Sequence, residues 1–202
     1  MNAQKTIWSD LVTHNNSKGM LNAAIWHAAE GLSSMVGRTI NTAPSRVEAV
    51  PIGQKIVHAN DPEATMVGVY LLLEGGLRGH AILVMPLHSA LNVADLMMEN
   101  SLGTSTRLGA MERSALGEAG NVVISYFLNT VAQLSKAKVL LQPSRPTVLE
   151  GKLSTILDVL IAPAATVRDD LLVIETAFGD ATGTVQGYFL VFPDPAITDL
   201  VA

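Results

Sequence analysis

One segment of the chain recurs at a fixed distance. NAAIWHAAEGLSSMVGRTINTAPSR, from Asn22 to Arg46, lies over NVVISYFLNTVAQLSKAKVLLQPSR, from Asn121 to Arg145, without a gap and at a constant offset of 99. Both copies open on Asn and close on Pro-Ser-Arg; Ile25 falls on Ile124 and Met35 on Leu134, which keeps an apolar stripe at helical spacing in each. An internal repeat decides architecture before any single residue does, because two copies of one unit fold into two like halves. Each copy reads as a helix running into an extended stretch.

Downstream, each half carries two β-rich runs joined by a glycine-bearing turn, the pattern of a hairpin. These are GVYLLLEGGLRGHAILVMP in the first half and LLVIETAFGDATGTVQGYFLVFPDP in the second. Gly79 leads a short apolar strand ending at Pro86, and Gly187 leads one ending at Pro193, so the likeness reaches the far end of both copies. Further helices are expected over LHSALNVADLMMEN, KLSTILDVLIAPA and the C-terminal DPAITDLVA. The fold class predicted is α+β with a pseudo-two-fold internal repeat. Each half supplies a long helix and roughly three antiparallel strands, merged into one sheet. No Pro/Gly/Ser-rich linker divides the halves, so residues 1–202 are read as one domain made of two fused repeats, about 15–100 and 110–202.

A chain of 202 residues that is 49% hydrophobic can bury a sizeable core. Its 13 basic and 18 acidic residues leave a net charge of -5, with no run of Lys or Arg to track a phosphate backbone, so nucleic acid is not an expected partner. The absence of cysteine removes disulfides, thiolate nucleophiles and Cys-ligated zinc. MNAQKTIWSDL lacks the apolar run of a signal peptide, and no segment approaches the ~20 apolar residues of a membrane span. The expected location is the cytoplasm.

The second long helix, read from about Met111 to Lys136, spaces Ser114, Glu118 and Asn121 four and three residues apart. At that spacing the three make one polar stripe, while Leu116, Val123, Phe127 and Leu134 turn to the core. Gly117 and Gly120 flank the stripe. Each costs a helix roughly 1 kcal/mol relative to alanine, and one reading is that the missing side chains let another backbone or protein come close. A Glu or an Asn on a helix surface is ordinarily only solvated. Here, however, the stripe stands at the start of a repeated unit, and its Asn is present in both copies.

The pattern Asp/Ser-x-x-x-Glu-x-x-Asn, followed about two dozen residues later by a proline, resembles the signature of the CheC, CheX and FliY chemotaxis phosphatases. MERSALGEAGNVVISYFLNTVAQL is similar to the second CheC signature helix, and both hairpin segments resemble those of CheC, so the likeness covers nearly the whole chain. It implies a continuous antiparallel sheet of about six strands with the signature helices on one face. It also implies a phosphatase that removes the aspartyl phosphate of a CheY-like response regulator. Asn121 would place the hydrolytic water, Glu118 would form a salt bridge to the regulator's lysine, and Ser114 would help on the same face. The protein would need no cofactor of its own, since the regulator brings Mg2+. The receptor deamidase CheD is a further implied partner.

Carried onto the first copy, the pattern gives Asn15, Gly19 and Asn22: the amide survives and the acid has become glycine. The first site is therefore read as degenerate and the second as competent. The proline falls one place early, at Pro143, with the same shift at Pro44 and Pro146 also near. The reading from a different class is a non-catalytic binding or scaffold module for the phosphorylated regulator, CheD or the flagellar switch. The fused repeat favours a monomer. The five histidines, His14, His27, His58, His80 and His88, show no metal-like pairing, and the glycines of EGGLRG belong to a hairpin turn, not a phosphate loop.

Overall fold

A computed structural model describes residues 17–51, 63–134, 141–158 and 170–194. In chain order they form α1 (Ser17–Val36), β1 (Asn41–Thr42), β2 (Arg46–Pro51), β3 (Thr65–Gly75), β4 (Gly79–Pro86), α2 (Leu87–Met97), α3 (Ala110–Leu134), β5 (Leu141–Pro143), β6 (Thr147–Lys152), β7 (Asp170–Gly179) and β8 (Gln186–Pro193). Residues 153–158 are also helical, within the expected KLSTILDVLIAPA helix; the C-terminal helix expected over DPAITDLVA falls almost wholly outside the described residues.

All the strands join one antiparallel sheet in the order β1-β7-β8-β4-β3-β5, with β2 also on β7 and β6 also on β3. The eight strands fill six positions, because β1 and β2 run along one neighbour and β5 and β6 along another. Proline explains the breaks. Pro44 separates β1 from β2 and Pro146 separates β5 from β6, and a residue without an N–H cannot continue the ladder. The two halves also exchange edges: β2 of the first half pairs with β7 of the second, with Val47 opposite Ile174, and β6 pairs with β3, with Val69 opposite Val148. The centre of the sheet is the contact of β4 with β8, one strand from each hairpin.

Period-2 alternation gives the sheet two apolar faces. Val67, Val69, Leu71 and Leu73 of β3 join Leu83, Phe189 and Val191 in a core with Leu21, Ile25 and Leu32 of α1, Val93 of α2, and Leu116, Ile124 and Phe127 of α3. The three helices thus share one face. On the other face Met66, Ile82, Val84, Leu171, Val173 and Leu190 pack with Leu153, Ile156 and Leu157 of the helical stretch 153–158.

The long α3 is fixed at its start. Glu112 accepts a hydrogen bond from the Gly109 amide at 2.9 Å, three residues upstream, as one half of a capping box, and another from Ser105 Oγ at 3.1 Å. Asp95 of α2, fully buried, accepts the Ser105 amide at 3.0 Å. The backbone and side-chain bonds around Glu112 hold its carboxyl below the ordinary glutamate value. Of the four residues predicted to turn inward on α3, Leu116, Val123 and Phe127 are buried. Leu134 is a correction: it is 48% exposed although Val131 in the same turn is buried, so the apolar phase alone does not bury the helix's last residue.

Candidate active site

Ser114 and Glu118 are exposed on α3 and Asn121 is half-buried. They line a groove of about 450 Å³ whose opposite wall is the bend Pro143–Ser144–Arg145–Pro146 between β5 and β6. None of the three side chains hydrogen-bonds or pairs with any described residue.

The groove's walls are rigid. Ser144 gives its amide to Leu72 O at 2.8 Å and accepts Leu72 N on its Oγ at 2.9 Å, so the bend is tied to β3. Arg113 crosses from α3 to β6, donating to Val148 O at 3.1 Å and to Glu150 Oε2 at 2.8 Å. The glycines complete the fit between helix and sheet. A Cβ on Gly120 would lie 2.4 Å from Val69 Cγ1, and one on Gly117 would lie 3.4 Å from Pro146 Cγ. Of the two neighbours expected at these glycines, another stretch of the chain or a partner protein, the structure shows the first: β3 lies against Gly120, and the proline bend is at ordinary contact distance from Gly117.

In the first copy, Asn22 is exposed and its Oδ1 accepts the Ser45 amide at 3.2 Å. Gly19 is open, with nothing within 4 Å of where a Cβ would be. Asn15 lies outside the described residues. The two amides at equivalent positions therefore differ: one is bonded to its own bend and the other bonds to no described residue. The sequence reading missed Ser144, Arg113 and Arg145 as parts of the site. Its signal for two of them was the Pro-Ser-Arg that ends both copies.

Chemically, the groove sets a carboxylate and an amide side by side, open to solvent, on a helix held against a sheet. An amide offers both a hydrogen-bond acceptor and two donors, enough to orient a water against an anionic oxygen. Among the described residues no group of three His, Cys, Asp or Glu could hold a metal ion, and no helix is long and apolar enough to cross a membrane.

No family model matches the chain. It is 22% identical over 177 residues to the CheY-P phosphatase CheC of Bacillus subtilis (strain 168), covering 86% of this chain and 84% of that protein. The crystal structure of Thermotoga maritima FliY superposes with a TM-score of 0.67 at 23% identity, covering 94% of this chain and 96% of the other. The CheX of a CheX–CheY–BeF3–Mg2+ complex from Borrelia burgdorferi is more distant, with a TM-score of 0.56 at 16% identity over 85% of this chain and 94% of that one. The chain therefore has the CheC/CheX/FliY-type fold.

Proposed function

We propose that the protein hydrolyses the aspartyl phosphate of a phosphorylated CheY-like response regulator, with the second repeat as its active site. The single observation that carries this reading is the pair Glu118 and Asn121, one turn apart on α3 in the groove and bonded to no described residue. The names of similar proteins support the partner: one is a CheY-P phosphatase, and another was solved bound to CheY with Mg2+ and beryllofluoride.

In the reaction, water attacks phosphorus in line with the acyl oxygen. The bond from phosphorus to that oxygen breaks, the regulator's aspartate is restored and inorganic phosphate leaves. Mg2+ and a lysine of the regulator balance the charge on the phosphoryl group, so the second protein has mainly to position the water. Asn121 does this through its amide. Glu118 pairs with the regulator's lysine and sets the register of docking, and Ser114 adds a polar contact on the same face. No metal of the protein's own takes part. On the same reading the protein acts as a cytoplasmic monomer, and CheD binds it away from the catalytic helices.

A second reading is favoured by one observation. The first copy lacks the acid, having Gly19 in its place, and its Asn22 is already bonded to Ser45. A chain losing one site fits a module that binds the phosphorylated regulator without turning it over. Release of inorganic phosphate from the phosphorylated receiver, with and without the protein, separates the two: acceleration means phosphatase, and binding without acceleration means scaffold.

A further inference from the structure

Three ionisable side chains line the groove: Arg113, Glu118 and Arg145. Arg113 is engaged by Glu150 and Val148 O. The other two are opposite in sign, yet they pair neither with each other nor with any described residue. Arg145 is exposed, but its backbone is not loose. It stands between Ser144, which is locked to Leu72, and Pro146, which packs on Gly117. The equivalent Arg46 is placed differently, as the first residue of β2 in register with Glu175 of β7. Arg145 precedes β6 and has no such place in the ladder.

A free anion and a free cation held apart on fixed walls of one groove match a partner that presents the reverse arrangement. The planar guanidinium suits a pair of anionic oxygens, to which it can donate two parallel hydrogen bonds. We propose that Arg145 is a docking residue of this site, binding anionic oxygens of the partner's phosphorylation pocket, carboxylate or phosphoryl, while Glu118 takes the partner's cation. The proposal deepens the reading of the groove as the site for a phosphorylated regulator and rests on it. It adds recognition of a second charge that the sequence stripe does not contain.

The test uses the full chain, its Arg145→Ala and Arg145→Lys variants, and a CheY-like receiver domain with Mg2+, both unloaded and loaded with beryllofluoride. Arg145→Ala is expected to weaken binding about tenfold and to raise KM about tenfold while kcat stays within about twofold, the size of one lost charge-assisted contact. The fall of affinity with ionic strength becomes shallower in that variant, because one screened attraction is gone. Arg145→Lys falls between the parent and Arg145→Ala, because an ammonium keeps the charge and its salt dependence but loses the second parallel hydrogen bond, and the thermal midpoint is the same in all three proteins. A loss confined to the loaded receiver identifies a phosphoryl-like oxygen as the ligand, and an equal loss with both forms identifies a carboxylate; either supports the proposal. Unchanged binding and KM in Arg145→Ala overturn it, even with the hydrolytic reading intact. If the parent binds but releases no phosphate, the hydrolytic reading fails while the binding comparison still decides the role of Arg145. If the parent binds neither form, both fall.

Discussion

The Oδ1 of Asn22 accepts a hydrogen bond from the Ser45 amide at 3.2 Å, whereas the amide of Ser144, 99 residues further on, gives its bond to Leu72 O at 2.8 Å. The same bend therefore binds the first-copy asparagine to itself and leaves Asn121 free. Restoring an acid to the first copy should not restore a site. In an Asn121→Ala background, Gly19→Glu is expected to give no recovery of phosphatase activity. A recovery to more than about a tenth of parental turnover would show that Asn22 is available after all.

Glu118 is exposed and bonds to no described residue. Glu118→Gln should leave the thermal midpoint unchanged and raise KM for the phosphorylated receiver about tenfold, the scale of a lost charge-assisted hydrogen bond. Steady-state kinetics at low ionic strength measure this. A loss confined to kcat would move Glu118 from docking to the chemical step.

Gly120 and Gly19 predict opposite effects of the same substitution. A Cβ at 120 would meet Val69 Cγ1 at 2.4 Å, so Gly120→Ala must shift α3 or β3 and should destabilise by about 1–3 kcal/mol. It should also lower activity, because Asn121 is the next residue. At Gly19 the space is open, and alanine should stabilise by up to about 1 kcal/mol through helix propensity and unfolded-state entropy. Denaturant unfolding of the two variants tests the pair of signs.

An ion pair joins the segment between α1 and β1 to the β7–β8 turn. Arg38 Nη1 donates to Asp180 Oδ2 at 2.9 Å, and the Asp180 side chain is only 4% exposed. Burial alone would raise the Asp180 carboxyl, but bonds from Thr182, the Val185 amide, Arg38 and the Thr184 amide outweigh it and bring the value from 3.8 to about 2. A carboxyl whose value is depressed on folding stabilises fully above its unfolded value. Its contribution is lost as pH falls from about 3.8 through about 2. Asp180→Asn should thus cost about 2 kcal/mol at neutral pH, and the difference from the parent should shrink across that window in acid unfolding curves.

Much of this fold is legible in the chain because its signals are local. The hairpins follow from alternation around Gly75, Gly79 and the turn before Gln186, and α3 follows from its repeated apolar spacing. The polar stripe of Ser114, Glu118 and Asn121 likewise depends only on helical geometry. What depends on distant partners is not legible. The exchange of edges, β2 onto β7 and β6 onto β3, is fixed by register across the whole sheet. The reason for Gly120 is Val69, some fifty residues away. Leu134 has the right phase for burial and yet stays half exposed, where Val131 three residues before it is buried. The double break of the edge strands was written in Pro44 and Pro146, and Arg145 in the repeated Pro-Ser-Arg, but only the bend itself reveals that the second arginine is unpaired.

The proposed hydrolysis turns on the Asn121 amide, which is to place the water. Asn121 bonds to no described residue, so its replacement by alanine removes no structural contact and should leave the thermal midpoint within a degree or two. The decisive measurement is phosphate release from a phosphorylated CheY-like receiver with saturating parent protein and with saturating Asn121→Ala. Acceleration by the parent is expected, with a loss of at least about a hundredfold in the variant and receiver binding retained. Equal rates for the two proteins would contradict it.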